Sequence, residues 1–299
     1  MHGGGAAGTA AAQHAGRLKW ALALTATYMV AEVIGGLVTG SLALLADAAH
    51  MMTDVGGLAL ALLAIRFAAR EATPQRTFGY LRMEVLSALT NAVVLLLLTV
   101  YILYEAYQRF LAPPEILSGP MLIVAAIGLV VNLISMRLLA GGSSESLNVK
   151  GAYFEVLSDM LGSIGVIIAA LLMMWKGWAL ADPIIGAGIG LFIVPRTWAL
   201  LKQVTHILME GTPPNVDLSI VENKLLAIPD VTAVHDLHVW TVTSGFDAMS
   251  CHLLVADISI GREALRQARR VMKDEFGIDH VTIQVEDETL RAEDALLHV

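Results

Sequence analysis

SLALLADAAHMMTD, residues 41–54, sets two carboxylates and an imidazole inside an apolar run that continues to Phe67. Charged side chains at bilayer depth are costly and mark pathways or sites. His50 and Asp54 are four residues apart. An α-helix stacks such a pair on one face, one turn from each other. An imidazole and a carboxylate placed this way can chelate one cation. Asp47, three residues before His50, reaches the same side, and its expected role is support rather than ligation.

A second pair follows the same spacing. Glu155 and Asp159 lie in the apolar run from Val149 to Trp175. Two helices that each offer an (i, i+4) pair supply four nitrogen and oxygen donors, a set that suits tetrahedral zinc. The excess of carboxylate leaves cobalt, manganese, iron and cadmium open as well. No Lys or Arg is matched to either pair, so the carboxylates repel one another unless metal or protons neutralise them. A site that takes metal or protons, never both, couples their movement in opposite directions. Glu32, Glu84, Asn91, Glu105 and Asn132 are the other polar residues at depth or near span ends.

The rest of the chain is consistent with a membrane setting. Of 299 residues, 56% are apolar and only 15% charged, against about 25% charged in a soluble domain. The shortage stops near Met209, after which the composition is that of a soluble sequence. The fold class expected is therefore an α-helical membrane protein with six transmembrane helices and a C-terminal α+β domain. The spans run from Leu18 to Val38, Leu42 to Phe67, Tyr80 to Phe110, Pro120 to Leu139, Val149 to Trp175, and Pro183 to Lys202. Each is about the 20 residues that a bilayer requires, or longer.

The expected domains are a flexible tail over 1–16, a six-span body over 17–208 and a cytoplasmic domain over 209–299. Arg17, Lys19, Arg66, Arg70, Arg76, Arg82, Arg137 and Lys150 cluster in alternate loops, while the opposite loops carry Arg109 and Lys176. That asymmetry puts both termini in the cytoplasm. Gly36 with Gly40, and Gly186 with Gly190, have the spacing of close helix contacts. The Gly/Ala-rich start carries His2 and His14 and lacks a signal-peptide pattern. The net charge of −8, without a basic patch, offers nothing to nucleic acid. The single cysteine, Cys251, excludes an internal disulfide and a thiolate cage.

The tail reads as αββαβ. Asn215 or Asp217 caps a helix running to Ala227. Val231 to Val242 and Phe246 to Val255 form a hairpin around Ser244-Gly245. Arg262 to Phe276 is helical, and Val281 to Val285 is a last strand. His238 and His252 fall on neighbouring strands, where they can face each other. Cys251 points to the opposite face from His252.

Three motifs, SLALLADAAHMMTD (41–54), EVLSDMLGS (155–163) and HDLHVW (235–240), together resemble the cation diffusion facilitators, in particular the bacterial cobalt–zinc–cadmium resistance branch of zinc transporters. The resemblance covers nearly all of the chain after Arg17. It implies a homodimer in the bacterial inner membrane, a ferredoxin-like cytoplasmic domain, and export of zinc, with cobalt and cadmium, by alternating access against protons as counter-ion. It places the transport site on His50, Asp54, Glu155 and Asp159. It also implies a cytoplasmic metal site on His238, His252 and Glu286, with His235 a further ligand position and His280 close by. Metal bound there would tighten the dimer.

Arg82 and Glu210 match a charged pair that joins membrane and tail in some members. Several departures matter. Most zinc-selective members carry His where Glu155 stands, and Gln284 replaces a histidine of some members. The loop at Arg76-Thr77-Phe78-Gly79-Tyr80 has no histidine, so no metal site is expected there. The loop at Gly141-Gly142-Ser143-Ser144 lacks a His-rich tract.

Two other classes compete with a transporter. A membrane-anchored metal sensor would use the tail and need no intramembrane site. An intramembrane metal-dependent enzyme finds no support, since three residues rather than the four of HxxxxD separate His50 from Asp54, and HExxH and GxSxG patterns are missing. The chain is therefore read as a non-enzyme.

Overall fold

A computed structural model describes residues 15–68, 70–140 and 147–290. His2 and His14, and the loop at 141–144, lie outside the described residues. The chain divides into two compact units, one made of Met1–Ala59 and Thr90–Ala199, the other of Leu60–Leu89 and Leu200–Val299.

Six long helices cover the expected spans: α1 Ala15–Thr39, α2 Leu42–Ala68, α3 Met83–Leu111, α4 Ser118–Ala140, α5 Leu147–Lys176 and α6 Ala181–Leu208. All but α2 are long and apolar enough to cross a membrane by that measure alone. Helix α2, interrupted by Asp47, His50 and Asp54, has 27 residues, a length of about 40 Å. Helix α3 begins three residues later than expected and α6 runs six residues further. Pro183 sits in the first turn of α6, where its missing N–H costs nothing, but Pro195 lies inside the helix and removes a backbone hydrogen bond.

Helix α4 lies at the centre of the first unit, packed along both α1 and α5. Its buried residues are Met121, Ala125, Gly128, Asn132, Ser135 and Leu139. They alternate by four and three, which is the spacing of one continuous helix stripe. Most are small or polar, so backbones approach closely. Gly128 accommodates the Tyr28 ring and Gly35 accommodates Val124.

Of the two glycine pairs proposed as helix contacts, Gly36 packs on Leu45 and Gly186 on the Leu42–Ala43 backbone. Gly40 does something else. Its φ of +73° makes the turn between α1 and α2.

The start of α2 is fixed by a buried carboxylate. Leu42 N–H donates to Asp182 Oδ2 at 2.7 Å, Ala43 N–H to Oδ1 at 3.1 Å, and the Ser41 hydroxyl to Oδ1 at 2.5 Å. An acidic group is well placed against the free N–H groups at a helix start. Arg109 stands 3.6 Å from Asp182 and donates to Gly40 O at 2.5 Å. This cap holds the α2 residues at a set height and rotation.

The second unit contains the αββαβ fold. Its elements are α7 Leu218–Leu226, β1 Val231–Thr243, β2 Phe246–Val255, a 3-10 turn Ile258–Ile260, α8 Gly261–Phe276 and β3 His280–Glu286. The sheet order is β1-β2-β3, with β1 antiparallel and β3 parallel to β2. A parallel pair needs a crossover, and α8 supplies it. Ala264, Ala268 and Met272, four apart along α8, pack with Val221 and Leu225 of α7 on Met249, Cys251 and Leu253. Asp217 rather than Asn215 caps α7, accepting from Ser219 N–H at 2.9 Å. In the same unit Arg82 donates to Glu210 at 2.8 Å, and the Thr243 hydroxyl to Glu84 at 2.6 Å.

Candidate metal sites

Helices α2 and α5 bring their two pairs together. His50 Nδ1 lies 3.6 Å from Asp54 Oδ2, and His50 Nε2 lies 3.7 Å from Glu155 Oε1. One donor atom from each of the three falls within 4.8 Å of the others. Donors around a tetrahedral zinc with bonds near 2.05 Å stand about 3.3 Å apart. Small adjustments would therefore close these three around an ion.

Asp159 is buried one turn from Glu155 on α5 but falls outside that cluster. His50 Nδ1, Asp54 Oδ2 and Asp159 Oδ1 are buried without a hydrogen-bond partner. Lone pairs left free in this way fit a cation, since buried polar atoms otherwise find donors.

Asp47 does not join the cluster. Its carboxylate is buried against Gly162 of α5. A cavity of about 280 Å³ beside it is lined by Asp47, His50, Ser158, Gly162 and residues of α6 that include Ile189 and Phe192. Glu32, one of the polar residues noted at depth, is fully buried and accepts from Tyr28 Oη at 2.9 Å.

The expectation that no cation matches the pairs is corrected by Arg196. Its Nη1 and Nη2 donate to Glu155 Oε1 at 3.0 Å and Oε2 at 2.9 Å. Arg196 is 41 residues from Glu155 in sequence, and only the packing of α6 on α5 brings them together. A signal was present, because Pro195-Arg196 breaks an otherwise apolar sixth run.

The tail holds a second cluster. His235 and His252 are paired across β1 and β2, with ring centroids 4.8 Å apart. His235 Nε2 lies 3.2 Å from Glu286 Oε2, and His252 Nδ1 closely contacts Glu286 Oε1. Glu286 is fully buried and also accepts from Gln284 at 2.8 Å. Donor atoms of His235, Asp236 and His252 lie within 4.8 Å of one another.

His238 does not face His252, as alternation suggested. It is exposed and pairs with Ser250. The cause is a bulge between His235 and His238, where Asp236 has a φ of +48°. The extra residue returns both histidines to one face but sets His238 further along it. His280 is also elsewhere, with its ring against Phe78 and Phe246. The Cys251 thiol is buried, and burial pushes it up to about 12, so it brings no thiolate at neutral pH.

Residues 18–209 match the family described as the cation efflux transmembrane domain, and residues 213–288 match the cation efflux protein cytoplasmic domain. The metal cation efflux system protein CzcD of Cupriavidus metallidurans is 51% identical over 283 residues, covering 94% of this chain and 89% of its own. The cadmium, cobalt and zinc/H(+)-K(+) antiporter of Bacillus subtilis is 42% identical over 275 residues, 90% of this chain and 88% of its own. The zinc transporter ZitB of Escherichia coli is 41% identical over 287 residues, 95% of this chain and 91% of its own.

Proposed function

The chain belongs to the cation efflux family, whose members are membrane metal transporters and not enzymes, and we propose that it expels zinc, with cobalt and cadmium as further substrates, in exchange for protons. The transport site is His50, Asp54 and Glu155, completed by Asp159. Asp47 supports it by fixing how closely α2 and α5 approach. The observation that carries this reading is the cluster of His50, Asp54 and Glu155 donors on helices α2 and α5, with buried lone pairs left free.

Coupling follows from the donor set. Metal needs ionised carboxylates and a neutral imidazole, so protons and metal compete for one set of atoms. Alternating access then exposes that set to either side of the membrane in turn. The protein works as a homodimer in the bacterial inner membrane with both termini cytoplasmic. His235, His252 and Glu286, joined by Asp236, form a cytoplasmic metal site that tightens the dimer. Arg82 and Glu210 brace the second unit. Relatives named for cadmium, cobalt and zinc support this range of ions.

A membrane-anchored sensor draws on the tail cluster alone. Metal flux into vesicles separates the two readings. A transporter loses flux in Asp54→Ala and Asp159→Ala while staying folded, whereas a sensor moves no metal in any variant.

A further inference from the structure

Arg196 is a permanent cation bound to the carboxylate that the proposed transport site needs. It lies in the interior of α6, 15 residues after Ala181 and 12 before Leu208. Both of its terminal nitrogens engage Glu155, one to each oxygen, at 3.0 and 2.9 Å. This fork-to-fork geometry is strong and directional. The oxygen held by Nη1 is Oε1, the same atom that faces His50 Nε2 at 3.7 Å. The guanidinium and an incoming dication therefore claim one oxygen, and two positive centres on it repel. Arginine does not lose its charge at any accessible pH, so the conflict is not relieved by deprotonation.

The guanidinium is free to withdraw. The Arg196 side chain is 65% exposed, while Glu155 is 26% exposed, so the arginine reaches the cluster from its rim. Pro195, immediately before it, removes a backbone hydrogen bond and loosens the helix at that point.

We propose that Arg196 is an exchangeable counter-cation of the transport site. It occupies Glu155 when metal is absent, leaves when metal arrives, and returns as metal departs. Without it, protons alone would balance the neighbouring carboxylates of the empty site, and metal would leave slowly. With it, binding is weaker and turnover faster. This rests on the reading of His50, Asp54 and Glu155 as the transport site.

The test is cobalt binding to the purified full chain, read from the visible absorption of cobalt. A His235→Ala, His252→Ala background silences the tail cluster. Arg196→Gln is expected to tighten cobalt binding about fivefold, the worth of a well-formed, partly exposed ion pair. Maximum flux in vesicles is expected to fall. Arg196→Lys, which keeps charge but loses the fork, is expected to fall between, and it serves as the readout if the glutamine variant does not fold. In a Glu155→Ala background, Arg196→Gln is expected to change nothing. Unchanged or weaker binding in both folded Arg196 variants overturns the proposal. No cobalt absorption in the parent chain overturns the transport site itself, and the proposal with it.

Discussion

Asp47 on α2 rests its carboxylate against the bare backbone of Gly162 on α5, so closely that a Cβ added there would stand 2.8 Å from Asp47 Cγ. The spacing of these two helices also sets the 3.7 Å between His50 and Glu155. Gly162→Ala is therefore expected to force α2 and α5 apart. Overpacking of this kind costs about 1–3 kcal/mol. Thermal unfolding in detergent, with and without zinc, checks it. The midpoint should drop, and the upward shift caused by zinc should shrink. An unchanged zinc shift would separate helix spacing from metal binding.

The Asp182 cap is a second structural lever on the same site. Asp182→Ala strips acceptors from the Leu42 and Ala43 N–H groups and removes a partner of Arg109. Arg109 keeps Glu105 at 3.0 Å, so the loss is that of the buried N–H acceptors, about 3 kcal/mol. Asp182→Asn keeps one carbonyl acceptor and should cost less. Denaturant midpoints of the three proteins rank them. Equal midpoints would mean that the cap contributes nothing.

Local geometry was legible in the residues and long-range contact was not. The pairs His50–Asp54 and Glu155–Asp159 follow from helical spacing alone, and the strand Phe246–Val255 follows from alternation between turn residues. The Arg196–Glu155 pair needs the packing of two helices, which no spacing encodes. The Asp236 bulge breaks the alternation on which His238 was placed opposite His252. Gly36 and Gly40 have the spacing of a helix contact, yet Gly40 occupies a turn that its positive φ makes possible.

The bulge has a measurable consequence in the tail. Zinc bound per chain should fall by one in a His235→Ala, His252→Ala double variant. It should stay the same in His238→Ala and His280→Ala, whose imidazoles lie outside the cluster. Calorimetric titration of the full chain counts the ions. Loss of an ion on removing His238 would contradict the observed register.

Burial of Cys251 makes a pH prediction with a definite sign. Burial pushes its thiol up to about 12, against about 8.5 in an unfolded chain. Below the lower value both states are protonated and the group is neutral to stability. Above it the unfolded chain ionises first, so stability falls as pH rises toward the higher value. At pH 8 a maleimide should label Cys251 only after denaturation. Rapid labelling of the folded chain would refute its burial.

The most direct measurement follows zinc and pH together inside vesicles that contain the purified protein. Zinc added outside should enter, and the lumen should turn alkaline as protons leave in exchange. Both signals should vanish in Asp54→Ala. Zinc entry without a change in luminal pH, or undiminished entry in Asp54→Ala, would contradict the account.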